Sequence, residues 1–375
     1  MKKHILLNIF ALFTAFFIVL VTLYFTKDKV LNYYFNSFDS LQKTIDLQSD
    51  LENGKIVLFG SSELVIYPHQ KFLPQNFFNN DLKLPLKAQG NEGQQTFVIM
   101  SQLAACDNEK VRNNAKIVVL LSPSWFTGSS DNGLTMSKFL EYMNIGMMNK
   151  LYFESESDDK YKYIISDYIK ENLASIKEPT FIYEYPFSIV KKDYFNNKIK
   201  NLLIKSFDNK NVKIEEINYF PINFDYESLK IKAKNIEVSS SNNSFGIQNE
   251  YYKKYIEPEV TKNNFPFSIV IPPDLDKNEE FQDFLVLLDF LDSYKIKPLF
   301  IMQDLHPYVF SKNREEANKL MLLIKSKVLE HNFEYMDMWT YEKENYEIGT
   351  LIDIVHLGEF GWVKVNQKII DYFIK

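Results

Sequence analysis

Ile56-Val57-Leu58-Phe59-Gly60-Ser61-Ser62-Glu63-Leu64 is the stretch on which the fold turns. Four consecutive apolar residues suit a strand covered on both faces, as in a parallel sheet, and Gly-x-Ser directly after them ends that strand in a turn. Open α/β sheets keep their chemistry at the carboxyl ends of the strands, so this turn offers the Ser62 hydroxyl at such an edge. A strand-end serine also serves as a plain turn or helix-cap residue. A hydroxyl becomes a useful nucleophile only beside a group able to take its proton. Far along the chain, Asp353-Ile354-Val355-His356-Leu357-Gly358 supplies an imidazole with a carboxylate three residues before it. That spacing lets Asp353 reach His356 within one turn, fix its tautomer and stabilise the imidazolium. Ser62, His356 and Asp353 are therefore the expected nucleophile, base and orienting acid.

Two further apolar runs, Ile117-Val118-Val119-Leu120-Leu121 and Pro298-Leu299-Phe300-Ile301-Met302, read as buried strands. Helical spacing of apolar residues fills 94–105, 279–293, 314–331 and 362–373. Strands alternating with helices predict a three-layer α/β/α sandwich on a mostly parallel sheet. Residues 136–200 form a longer, aromatic and helical stretch, expected as an insertion or a cap over the sheet. Within the expected outer domain, 54–375, Ser239-Ser240-Ser241-Asn242-Asn243-Ser244 is a polar loop, and no internal repeat is evident.

Upstream, residues 5–25 are apolar except for Asn8, Thr14 and Thr22. As a helix rising about 1.5 Å per residue, such a run reaches about 30 Å, the thickness of a hydrocarbon core. It is expected to be an uncleaved membrane anchor. A cleaved signal peptide is the competing reading, but the run is long for one and Tyr24-Phe25-Thr26-Lys27-Asp28 offers no small-x-small cleavage site. Lys2 and Lys3 precede the span, which keeps tail 1–4 on the cytoplasmic side and the rest of the chain outside. Residues 26–53 have helix-like spacing up to Gly54 and read as a stalk or packing helix.

The formal charge is −6, and setting aside Lys2 and Lys3 leaves −8 on the exported part. This argues against nucleic acid or anionic lipid as the main partner. Cys106 is the single cysteine, so the chain can form no internal disulfide. With one cysteine and five histidines a zinc site is not expected, nor is any other cofactor.

The five histidines allow an exhaustive search for a base. His4 lies on the wrong side of the membrane and His331 on an amphipathic helix. His69 follows the serine motif in a loop. His306, in Gln303-Asp304-Leu305-His306-Pro307, follows a strand end and is the main rival to His356. An oxyanion also needs backbone donors with little steric cover. Gln89-Gly90-Asn91-Glu92-Gly93-Gln94 places Gly90 and Gly93 just before a helix, where free N–H groups collect, although a plain turn would read the same. Ser122-Pro123-Ser124-Trp125-Phe126, after the second run, puts Trp125 in a pocket wall or in the core. No Gly-x-Ser-x-Gly elbow, P-loop or dinucleotide fingerprint occurs.

The strand-end Gly60-Ser61-Ser62, a glycine-containing second block and the late Asp-x-x-His together resemble the SGNH/GDSL hydrolases. Ser62 matches that superfamily's serine, Ser61 stands in place of its aspartate and is expected at the oxyanion pocket with Gly90, Gly93 and Trp125, and the usual Gly-x-Asn-Asp block has no counterpart. A closer resemblance is to the DltD family of teichoic-acid D-alanylation. It rests on Gly60 to Leu64, Ser122-Pro123-Ser124-Trp125-Phe126, Ser241-Asn242-Asn243-Ser244-Phe245-Gly246-Ile247, Tyr251-Tyr252-Lys253-Lys254-Tyr255, and His356-Leu357-Gly358-Glu359-Phe360-Gly361-Trp362. One departure is Gln303-Asp304-Leu305-His306-Pro307-Tyr308, where that family usually carries a Gly-Lys-Trp-Tyr-like segment. The resemblance implies an extracytoplasmic, membrane-anchored protein of a Gram-positive envelope that works with a membrane-bound O-acyltransferase and, through it, a D-alanyl carrier protein. The implied action is to place D-alanyl esters on lipoteichoic acid, with Ser62 as the acylated residue and the N–H groups of Ser62 and Gly90 or Gly93 holding the oxyanion. An extracytoplasmic esterase or thioesterase, or a non-catalytic scaffold for the acyltransferase, are the alternatives.

Overall fold

The computed structural model describes residues 2–35, 46–106, 111, 114–128, 134–155, 157–176, 181–184, 187, 217–222 and 224–374. Its sheet has five parallel strands, β1 (Ile56–Phe59), β2 (Leu86–Gln89), β3 (Lys116–Leu121), β4 (Leu299–Met302) and β5 (Glu334–Asp337), in the order β2-β1-β3-β4-β5. Register aligns Phe59 with both Gln89 and Val119, so the carboxyl ends of the strands share one edge. The strand order reverses around β1, which puts Ser62 at the switch point where such sheets form their crevice.

Alternation along the strands divides the core in two. Val57, Phe59, Ile117, Val119, Leu121, Phe300 and Met302 face one layer, with α2 (Thr96–Ala105), α5 (Glu279–Ser293) and α6 (Arg314–Glu330). Ile56, Leu58, Val118, Leu120, Leu299 and Ile301 face the other, where α7 (Glu359–Phe373) supplies Phe360, Trp362, Val363 and Ile369. The architecture is thus the expected α/β/α sandwich. Removing a buried side chain here, as in Leu120→Ala, is expected to cost about 2–5 kcal/mol through lost burial and the cavity left behind.

The described part of the 136–200 stretch extends the first core. The short helices Met136–Tyr142 and Ile145–Asn149 and the amphipathic α3 (Asp159–Glu171) contribute Phe139, Met148, Tyr161 and Ile165 to it. Residues 188–200 of that stretch lie outside the described residues. Of the expected polar loop at 239–244, Ser239 and Ser240 belong to the last turn of α4 (Tyr226–Ser240), and 241–244 follow it.

At the N-terminus, α1 runs from Lys2 to Phe35, well past the apolar stretch. It is the one described helix long and apolar enough to cross a membrane, and residues 9–22 are all exposed. A packed amphipathic helix would bury one side, whereas here Phe10, Phe13 and Phe17 project freely. Of the expected stalk, residues 36–45 lie outside the described residues, and helix resumes over 46–52.

Candidate active site

Directly after β1 the chain turns at Gly60 and enters a single 3-10 turn, Ser62–Leu64. A Cβ on Gly60 would stand 2.6 Å from Glu63 Oε1, the movable end of a side chain, whereas one on Gly90 would stand 2.2 Å from the Gly60 carbonyl oxygen, which is backbone. Glycine at 90 is what lets the loops after β1 and β2 close on each other. Ser61 then stitches them: its hydroxyl accepts from Gly93 N–H at 3.1 Å and donates to the Asn91 carbonyl at 3.3 Å. Gly93 itself has φ +78°, a region glycine enters without strain.

The base sits on a loop closed by an antiparallel bridge between Leu351 and Leu357. Asp353 Oδ1 accepts the backbone N–H groups of Val355 (2.8 Å) and His356 (2.7 Å), which curls the loop over the carboxylate. Oδ2 remains for His356 Nδ1, 2.6 Å away, and for the Tyr67 hydroxyl, which donates to it at 3.0 Å. With Nδ1 carrying its proton toward Asp353, Nε2 presents a lone pair to Ser62 Oγ at 2.9 Å. Residues 294 apart in sequence are thereby brought into hydrogen-bond contact, in the geometry a serine needs to lose its proton on attack.

The segment after His356 anchors this loop to the one after β1. Gln70 Nε2 donates to the Leu357 carbonyl at 2.9 Å, and Trp362 Nε1 donates to Gln70 Oε1 at 2.8 Å. Glu359 accepts the N–H groups of Lys71 (2.7 Å) and Phe72 (2.8 Å). A Cβ on Gly361 would stand 2.2 Å from the Thr350 carbonyl oxygen, so α7 can start this close only with glycine there. His306 N–H supports the loop from β4 by donating to the Ile354 carbonyl at 3.0 Å.

Electrostatics follow from these contacts. Burial opposes a charged imidazole at His356, but the Asp353 hydrogen bond and charge outweigh it, with Glu63 and Glu92 adding, and its pKa is raised. Burial likewise opposes the Asp353 carboxylate. The hydrogen bonds and charge of His356 and the Val355 N–H overcome it, and the Asp353 pKa is lowered. His306 is the reverse case: burial without a carboxylate partner depresses it to about 4.

The other expected site residues divide. Ser61 and Gly90 flank the serine turn, as described. Gly93 is beside it too, but its N–H is committed to Ser61, which leaves Ser62 and Gly90 N–H without an acceptor among the described residues. Trp125 is a core residue, 7% exposed in the first layer, next to Phe126, which packs against Phe284. Helix Met136–Tyr142 instead walls the glycine loop, with Glu141 accepting from the Asn91 amide at 2.6 Å and Lys138 over Gly93. His69 is exposed, and His331 stacks on Phe333 at the end of α6. Sequence reasoning missed Tyr67, Glu63 and Glu359. A single tyrosine or glutamate carries no spacing signal, and the partners of Tyr67 and Glu359 come only from the closure of two distant segments.

A family model described as DltD protein matches residues 33–374. Protein DltD of Staphylococcus aureus is 23% identical over 340 residues, covering 83% of this chain and 79% of that protein. Protein DltD of Bacillus subtilis is 24% identical over 345 residues, covering 84% and 81%. The match spans both loops that meet at Ser62 and His356, and the chain belongs to the DltD family of teichoic-acid D-alanylation.

Proposed function

We propose that the protein is a serine-dependent acyltransferase that moves a D-alanyl group to a hydroxyl of lipoteichoic acid. The observation that carries this is the continuous run Ser62 Oγ, His356 Nε2, His356 Nδ1, Asp353 Oδ2, with contacts of 2.9 and 2.6 Å. His356 Nε2 takes the Ser62 proton as Oγ bonds to the carbonyl carbon of a D-alanyl ester or thioester. The bond to the donor's oxygen or sulfur then breaks, and the leaving group receives that proton from His356. Ser62 holds the D-alanyl ester. An acceptor hydroxyl next attacks the same carbon, giving its proton to Nε2, and Ser62 Oγ leaves with that proton. Asp353 steadies the imidazolium in both halves, and Ser62 and Gly90 N–H are the donors left for the oxyanion.

α1 anchors the protein with residues 1–4 in the cytoplasm and the sandwich outside, where the acceptor is. Its partners in this reading are a membrane-bound O-acyltransferase as the donor side, an acyl carrier protein behind it, and the polymer as acceptor. In cells at equal protein level, Ser62→Ala is expected to abolish D-alanine esters on the envelope, and intact mass of the wild type in membranes containing the acyltransferase should reveal an adduct on Ser62. Undiminished esters in both Ser62→Ala and His356→Ala would leave a scaffold. Rapid turnover of a simple acyl ester to free acid would make the protein an esterase.

A further inference from the structure

We propose that Glu63 is a positioning residue for the Ser62–His356 pair: its carboxylate folds back through the space left by Gly60 to hold the Ser61 N–H, and its charge favours the imidazolium formed when His356 takes the Ser62 proton. This rests on the serine reading above.

The geometry is specific. Glu63 is 3% exposed although it follows the nucleophile in a turn whose next residues, Val65 and Ile66, face solvent. A glutamate placed at random in such a turn would point to water, because burying a carboxylate costs several kcal/mol unless donors meet it. A donor does meet it: Ser61 N–H gives a 2.6 Å bond to Oε1. Gly60 is the counterpart of this fold-back, since the carboxylate oxygen occupies the space a Cβ would need. The bond fixes Ser61 at φ −127°, ψ −129°, outside both helical and extended backbone, and so sets the direction in which Ser62 leaves β1.

The same carboxylate acts on the base through charge. The titratable groups around His356 are Asp353 on its own loop, Glu63 on the serine turn, Glu92 on the glycine loop and Tyr67 beyond the turn. Asp353 makes the hydrogen bond, and the Glu63 and Glu92 charges add to it in raising the His356 pKa. Glu92 is exposed and screened by solvent, whereas Glu63 acts through protein. Burial raises the pKa of Glu63, and the Ser61 and Glu63 N–H groups, the positive His356 and Gln303 pull it back. The carboxylate is thus ionised most readily when the imidazolium forms.

The test is the rate of Ser62 labelling by a fluorophosphonate against pH, on full-length protein in detergent micelles. In that reaction Ser62 Oγ bonds to phosphorus, fluoride leaves and His356 takes the hydroxyl proton, so it reports the activated serine whatever acyl group the protein moves. Glu63→Gln keeps an acceptor for Ser61 N–H and removes the charge. Its acid limb is expected to shift to lower pH by about half a unit, and direct NMR titration of His356 should shift by the same amount. Glu63→Ala loses the acceptor as well and should label about 10-fold or more slowly, with Glu63→Gln restoring most of that loss. A Glu63→Gln limb and a His356 titration that both match the wild type would overturn the proposal, and so would Glu63→Ala labelling at the wild-type rate. If Ser62 in the wild-type protein does not label at all while an external serine hydrolase does, the serine reading itself fails.

Discussion

His306 and His356 lie on neighbouring loops near the same carboxylate, yet their surroundings shift their pKa values in opposite directions. His306 is fully buried, gives its Nε2 proton to the Phe245 carbonyl at 2.9 Å, and packs its ring against Tyr346. Its Nδ1 faces no donor, and burial, with Arg314 adding, holds its pKa near 4. His356 is also mostly covered, but Nδ1 meets Asp353 and Nε2 meets Ser62. Nearness to Asp353 is not what separates them. A direct hydrogen bond to the carboxylate on one side and a free lone pair at a partly exposed hydroxyl on the other are what make an imidazole a base.

The sharpest way to break this contrast is at His356. His356→Ala and Ser62→Ala should each lower D-alanyl transfer by at least about 10³-fold, measured as ester formed per protein. Asp353→Asn should cost about 10²–10⁴-fold, because the amide can leave the imidazole in the wrong tautomer, and it should move the acid limb of the rate profile to lower pH. The direction follows from the raised His356 pKa: the base must be neutral to accept a proton, so wild-type activity falls as pH drops through that value. His306→Phe should leave transfer within about 10-fold of wild type if His306 only supports the loop; a loss as large as that of His356→Ala would make it the base.

Stability should separate the two histidines as well. His306 has a folded pKa near 4 against an ordinary 6.5, so it contributes stability above pH 6.5 that is lost as pH falls toward 4. The loss is on the order of 3 kcal/mol at most, and His306→Phe should flatten the acid branch of a denaturation-midpoint series. His356 has a raised pKa, so its contribution is complete below 6.5 and is lost as pH rises through the raised value. The smallest expected effect is at Tyr67→Phe. It removes one hydrogen bond to Asp353, worth about 1 kcal/mol, and should slow transfer only several-fold.

The same contrast marks what a reader of the sequence can see. β1, β3 and β4 are continuous apolar runs because both their faces are covered, and they stand out. β2 (Leu86-Lys87-Ala88-Gln89) and β5 (Glu334-Tyr335-Met336-Asp337) are edge strands, half exposed, and their polar residues hide them among the loops. α5 shows its full length because its apolar stripe starts right after the Asn278 cap, whose side chain accepts from Phe281 N–H. In the site, Asp353 and His356 are legible as a pair because their contact is local. Which serine they serve is not a local property.

By itself the sequence determined the sandwich, the apolar N-terminal helix and the Asp353–His356 pair, since each depends on periodicity or short spacing within one segment. Tertiary structure decided the rest. It joined Ser62 to His356, used Gly93 N–H for Ser61 rather than for an oxyanion, put Trp125 into the core, and turned Glu63 inward beside Gly60. Those outcomes depend on how segments separated in sequence pack against one another. Close backbone approach is part of it, since Gly90 meets the Gly60 carbonyl and Gly361 the Thr350 carbonyl at distances a Cβ would forbid.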